Sequence, residues 1–253
     1  MTIATGVLLF FAAVIGGAIN SVAGGGSFVA FPALLFAGVA PVPANATNTI
    51  ALWPGSIASV VAYRRELGDV KRELLPLGVA ALVGGLAGSL LLLRTSESTF
   101  VLLIPWLLLF AAALFTFGGA VARRLTSGAG GTRVPLPIAA AAQLAISVYG
   151  GYFGGGMGIM MLAVLTLLGL SHIHRMNALK NVLGALINGV AVVAFTAAGA
   201  VRWGPGIVMI AGGITGGYAG AAIARKLNPR YVRWVVTGIA WGMTAYFFVK
   251  TYR

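Results

Sequence analysis

The 253-residue chain contains no cysteine, two histidines, and only four acidic residues, Glu66, Asp69, Glu73 and Glu97. Without cysteine it has no disulfide, no thiolate metal ligand and no thiol nucleophile. Four carboxylates, all at or near the ends of apolar runs, leave little for paired acid–base chemistry or an oxygen-ligated metal centre. Charge as a whole is scarce: 8% of residues are charged and 59% hydrophobic, and mean hydropathy is +0.98. A soluble domain carries about a quarter charged residues, so the composition is that of an integral membrane protein. The net charge of +13 does not point to nucleic acid. The basic residues sit mostly between apolar segments, where membrane topology and anionic lipid account for them. Residues 1–23 lack the basic start of a signal peptide and read as a retained membrane segment.

Glycine, by contrast, is abundant, with 37 residues, and its placement organises the chain. Asn20-Ser21-Val22-Ala23-Gly24-Gly25-Gly26-Ser27 ends an apolar segment with a glycine run, which breaks a helix because glycine disfavours it by about 1 kcal/mol per residue. Ser27 is placed to cap the next helix, from Phe28 to about Ala37. About ten residues of helix cover about 15 Å, half the hydrocarbon core, so this piece re-enters rather than crosses. Pro41-Val42-Pro43 reads as a turn, and spans follow over 45–63, 74–93 and 100–121. Gly84, Gly85 and Gly88 form a helix-packing surface in the second of these. A linker follows around 123–133. The order then repeats: a span over 135–153 ends at Gly154-Gly155-Gly156-Met157-Gly158, and a short helix covers 159–170. After a turn at 171–175 come spans over 176–198, 205–224 and 231–248. Paired broken helices in corresponding places are the mark of a transporter.

Thirteen of the 17 basic residues fall at 64–72, 123–133, 175, 180 and 225–233, leaving Arg94, Arg202, Lys250 and Arg253 on the other side. The positive-inside tendency puts the first group in the cytoplasm. The first half then begins outside and ends inside, and the second does the reverse. The expected fold is all-α and membrane-embedded, with two inverted-topology repeats. Each repeat has a glycine-broken re-entrant hairpin and three full transmembrane helices: residues 1–124, a cytoplasmic linker over 125–134, and residues 135–253.

Aligning Asn45 with Asn177 pairs Asn48 with Lys180, Thr49 with Asn181 and Ser56 with Asn188. Asn45, Thr49, Leu52 and Ser56 share one face of a helix, as do Asn177, Asn181, Gly184 and Asn188. A polar stripe on a spanning helix must face protein or water. It serves either interhelical hydrogen bonding or a substrate. Lys180 has no acid near it in sequence; it either snorkels to the headgroups or faces an anion. Neutral donors, one cation and the N-termini of helices starting near Ser27 and Ile159 suit a small oxyanion. The substrate-binding candidates are Asn20, Gly25, Gly26, Ser27, Asn45, Asn48, Thr49, Gly155, Gly156, Asn177, Lys180 and Asn181. His172 and His174 lack the partners of a metal site and read as loop residues. Neither a metal nor a cofactor is expected. Gly26-Ser27 has no triad partners, and no Gly-Lys-Ser/Thr marks a phosphate loop. Gln143 and Tyr149 read as bonding neighbouring helices.

Gly16-Gly17-Ala18-Ile19-Asn20, Ala23-Gly24-Gly25-Gly26-Ser27, Phe31-Pro32-Ala33-Leu34-Leu35 and Asn45-Ala46-Thr47-Asn48-Thr49 resemble the first repeat of the TauE/SafE sulfite exporter family. Gly150-Gly151-Tyr152-Phe153-Gly154-Gly155-Gly156-Met157-Gly158 and Asn177-Ala178-Leu179-Lys180-Asn181 resemble its second, so the resemblance covers essentially the whole chain. The second repeat departs at Val164, where the first has Pro32. The resemblance implies a bacterial-type inner-membrane permease that exports small sulfur-containing anions such as sulfite, sulfoacetate or other organosulfonates. Its partners would be that anion and the lipid bilayer, with a homodimer as one assembly open to it. From the residues alone, an anion channel on the same scaffold is the alternative, and a membrane-embedded enzyme lacks the buried acid–base groups it would need. Coupling falls to the substrate's own titration, to His172 and His174, or to sodium held by Asn, Thr and backbone carbonyls.

Overall fold

The computed structural model describes residues 1–23, 25–62, 71–128, 134–170, 172–224 and 229–253. Gly24, the charged loops at 63–70 and 225–228, the linker residues 129–133 and Ser171 lie outside them. Ten helices follow in order: α1 (Ile3–Ala23), α2 (Ser27–Phe36), α3 (Pro41–Ala62), α4 (Lys71–Arg94), α5 (Glu97–Gly128), α6 (Leu136–Tyr152), α7 (Met157–Leu167), α8 (Ile173–Ala197), α9 (Trp203–Ala224) and α10 (Pro229–Tyr252). The protein is an all-α integral membrane protein. Segments of α1, α4, α5 and α8 are both long and apolar enough to cross a bilayer. α3 is as long, at 22 residues, but its Asn-Thr-Ser face dilutes its hydropathy.

Three boundaries differ from the sequence reading. Pro41-Val42-Pro43 is the first turn of α3, not a turn before it, because proline at a helix start gives up an N–H that has no partner there anyway. The carboxylate of Glu97 accepts the Val42 N–H at 3.1 Å, so a cap from α5 closes the α3 terminus. The α5 helix continues through 123–128, and His174 and Arg175 lie in the first turn of α8, with His172 as its N-cap.

Close backbone packing sets the helix directions. On α9, Gly212, Gly216 and Gly220 lie against Phe10, Val14 and Ala18 of α1, advancing four residues together, so the two helices are parallel. Gly213 and Gly217 meet Ala51 and Gly55 of α3 in the same sense. In the other unit, Gly84, Gly85 and Gly88 of α4 meet the α6 backbone between Leu144 and Tyr152, and Gly85 also abuts Ile187 of α8. Helices α1, α3 and α9 thus form one bundle and α4, α6 and α8 a second. Each bundle takes one helix from the other half of the chain. Small residues permit this approach, which substitutes for a hydrophobic drive that lipid does not supply.

The long helices α5 and α10 are antiparallel. Trp106 donates to the Tyr252 hydroxyl at 3.0 Å near one end, and Trp241 to Thr116 Oγ1 at 3.0 Å toward the other. The Arg202 N–H donates to Thr47 Oγ1 (3.0 Å), so α9 starts beside the start of α3, and α8, which ends just before α9, runs opposite to α3. These contacts gather the Arg202 and Lys250–Arg253 ends with Glu97 at one end of the molecule. Both short helices bury one face against protein. The α2 residues Phe28, Phe31 and Leu34 pack among Phe100, Phe115 and Phe153. The α7 residues Met161 and Leu165 pack among Leu77, Leu179, Leu183 and Ile187. Irregular backbone at a helix break survives at membrane depth only in such surroundings.

Candidate functional site

Both glycine breaks abut α5 within one turn of each other. Gly25 lies against the Phe115 ring, and Gly155 and Gly156 lie against Ala111. At a rise of about 1.5 Å per residue, the breaks are at closely similar depth. In the first, Gly26 is the N-cap of α2 in right-handed conformation (φ −59°) with no side-chain cap. Ser27 therefore does not cap α2; its hydroxyl instead accepts the Asn48 amide at 3.1 Å. In the second, Gly154 and Gly156 are left-handed, with φ of 78° and 76°. The Tyr149 hydroxyl, from the preceding helix, holds the Gly155 carbonyl at 2.6 Å. Tyr149 and Gln143 thus bond within their own hairpin, Gln143 donating to Ser147 Oγ at 3.0 Å, and not to neighbouring helices.

Between the breaks and the α3·α8 crossing lies a polar cavity in two chambers. The larger, about 40 Å³, is walled by Lys180, Asn181 and Asn188 of α8, Asn20, Ser56 and Ser59 opposite, and Met157, Gly158 and Met161 at the start of α7. The smaller, about 20 Å³, is walled by Ser27, Asn48, Thr49 and Leu52 against Gly150, Phe153 and Gly154. Asn20, Met157 and Asn188 line both. One water needs roughly 10–15 Å³ of such space, so the larger chamber is on the scale of a small oxyanion.

Lys180 is 6% exposed, and among the described residues it has no hydrogen-bond or ion-pair partner. An unpaired ammonium in so little water is costly. A ligand of opposite charge would relieve that cost. The Asn181 amide nitrogen is likewise buried without a partner. Among the described residues no carboxylate lines either chamber.

The structure gathers Asn20, Ser27, Asn48, Thr49, Lys180 and Asn181 on the walls and leaves the other six candidates off them. Gly25, Gly26, Gly155 and Gly156 serve the close packing and backbone turns of the breaks. Asn45 donates to the Tyr152 carbonyl at 2.8 Å and so holds the end of α6. Asn177, the first polar residue of the α8 stripe, lies off both chambers. The candidates left out Ser56 and Asn188, named only as members of the polar stripes, and missed Ser59, Met157 and Met161. Ser59 lies one turn beyond Ser56 and extends its stripe, whereas nothing in a methionine after a glycine run announces a cavity wall. His172 and His174 are exposed at the α8 start, away from the cavity.

Helices of membrane-span length around a small polar cavity with a lysine on its wall are the frame of a membrane transporter. The chain belongs to the sulfite exporter TauE/SafE family, whose model matches residues 9–247. It is 28% identical over 250 residues to "Probable membrane transporter protein YfcA" of Escherichia coli (strain K12), covering 94% of this chain and 87% of that one. A "Probable membrane transporter protein" of Haemophilus influenzae is 28% identical over 244 residues, covering 94% and 92%. "Probable membrane transporter protein ORF9" of Sinorhizobium sp is 30% identical over 236 residues, covering 89% and 85%. No solved structure matches the chain. The protein is a multi-pass membrane transporter of the bacterial inner-membrane type.

Proposed function

We propose that the protein is a secondary transporter of small sulfur-containing anions, sulfite or short organosulfonates such as sulfoacetate, with export as the direction the family description suggests. The anion sits in the larger chamber between Lys180 and the amides of Asn181 and Asn188, with Asn20 opposite. The halves 1–124 and 135–253, joined by the linker 125–134, are inverted repeats, and their rocking exposes the chamber to each side in turn. Two facts support the inversion. Trp53 Nε1 donates at 3.0 Å to the carbonyl of Ala185, 132 residues on, the spacing that pairs Asn45 with Asn177. A residue touches its own repeat mate only beside the pseudo-two-fold axis, and α3 and α8 cross there in opposite directions.

The observation that carries the reading is the buried, unpaired Lys180 on the cavity wall. Purified protein in proteoliposomes, given radiolabelled sulfite or sulfoacetate, should show saturable uptake and counterflow. Lys180→Ala should abolish both, while Arg253→Ala leaves them near wild type. Equal losses in the two variants would make Lys180 an ordinary membrane lysine. Flux without saturation or counterflow would make the protein a channel.

A further inference from the structure

The two chambers differ in what their walls offer. The larger presents donors: the Lys180 ammonium, the unpartnered Asn181 amide, and the start of α7 at Gly158, the Met157 N–H being taken by the Gly154 carbonyl. Helix N-termini carry partial positive charge. The smaller presents oxygens. Asn48 is 1% exposed, and its amide donates to Ser27, which leaves its side-chain oxygen buried with no partner. The Thr49 hydroxyl donates to the Asn45 carbonyl at 2.9 Å, so its lone pairs are left for the chamber. Asn20 donates to Ser56 at 3.3 Å and keeps its own oxygen free. The carbonyl end of α6 also lies here. Phe153 and Gly154 both donate to Tyr149 O, and no hydrogen bond reaches the carbonyl of Gly150, which lines the chamber. Helix C-termini carry partial negative charge. The start of α2 faces the same chamber, but its Phe28, Val29 and Ala30 N–H groups are taken by the Gly25 and Gly26 carbonyls.

We propose that the smaller chamber is a sodium site, coupled to the anion chamber beside it. The coupling rests on the anion reading above; the sodium site itself does not. A neutral oxygen cage at the carbonyl end of a broken helix suits a hard monovalent cation, and about 20 Å³ admits one small ion but little of its hydration shell. A cation here and an anion against Lys180 share Asn20, Met157 and Asn188 as walls, so each lowers the electrostatic cost of the other. Their binding is reciprocal by linkage. Net flux of the anion then follows the sodium gradient, whichever way that gradient points.

The test uses the purified full chain, first without any anion. The melting temperature should rise in sodium chloride relative to equal potassium or choline chloride, and Asn48→Leu and Thr49→Val should each remove the rise. Asn48→Asp, which keeps the oxygen, should retain it, so the site stays testable even where Asn48→Leu does not fold. With sulfite as the second probe, sodium should tighten binding about tenfold, within the usual range of coupling between sites. Thr49→Val should bind sulfite as wild type does in choline. Melting temperatures identical in the three salts would overturn the sodium site. Sulfite binding that depends on Lys180 but ignores sodium would overturn the coupling and leave the anion reading standing. A sodium-specific rise without any sulfite binding would leave the sodium site standing and remove the anion reading.

Discussion

The two glycine breaks look alike in sequence and sit at matching depth, yet they need glycine for different reasons. At the first break Gly26 is right-handed, and a side chain there would run into the carbonyl of Gly16 on α1. Glycine is there for closeness. At the second, Gly154 and Gly156 are left-handed, and the nearest atom to a side chain on Gly156 would be the Ala111 carbonyl at 3.4 Å, an ordinary contact. Glycine is there for conformation. Asn48 and Lys180, paired when Asn45 is aligned with Asn177, differ as well. Asn48 is clasped neutrally to Ser27, while Lys180 keeps an unpaired charge. One wall of the cavity thus offers neutral oxygens and the other a charge.

Making the halves alike should do the most damage. Lys180→Asn places at 180 the residue that stands at the aligned position 48, and it should weaken sulfite binding about a hundredfold. That follows from the roughly 2–5 kcal/mol lost when one partner of a buried charge pair is removed; titration of the purified protein measures it. The breaks themselves should separate under alanine substitution. Gly26→Ala overpacks a backbone contact and should lower stability by about 2–3 kcal/mol. Gly156→Ala should cost only the left-handed penalty, about 1–2 kcal/mol. Denaturation in detergent compares them, and equal losses would erase the distinction drawn here.

Tyr149→Phe should come next. It strands the Gly155 carbonyl at the second break and should cost about 1 kcal/mol; among the described residues the first break has no such hydroxyl. Hydrogen exchange at residues 154–158 should rise while exchange at 26–30 stays unchanged. Trp53→Phe should have the smallest effect, about 0.6 kcal/mol, the average for one interhelical bond in a membrane protein. Because Trp53 joins α3 to α8 at Ala185, outside the walls of the anion chamber, the loss should appear as altered transport rate rather than altered sulfite affinity.

The element order was legible because it is written locally. Apolar lengths give spans, glycine runs give breaks, and the 3.6-residue period aligns Thr49 with Ser56 and Asn181 with Asn188. At the α3 start, a partner distant in sequence adds to what proline does locally. Glu97 closes the start of α3 at Val42, 55 residues away, and no local pattern around Pro41 could show it. The stripe lost its first members, Asn45 and Asn177, and gained Asn48 and Lys180, because Asn45 turns to the Tyr152 carbonyl of α6.

By itself the sequence determined that the chain lives in a membrane, that it is broken twice at matching places, and that one lysine lies among amides with no acid nearby. Composition, glycine and period act over a few residues, and these conclusions need nothing longer. Only the tertiary structure decided that α4 and α9 each pack into the bundle of the opposite half. It also decided that Asn20 reaches Ser56 and that methionines close the cavity. Those outcomes depend on where small residues let two backbones approach, and on where a side chain points after a helix break, and both are set by neighbours distant in sequence, 36 residues for Asn20 and Ser56 and 202 for Val14 and Gly216.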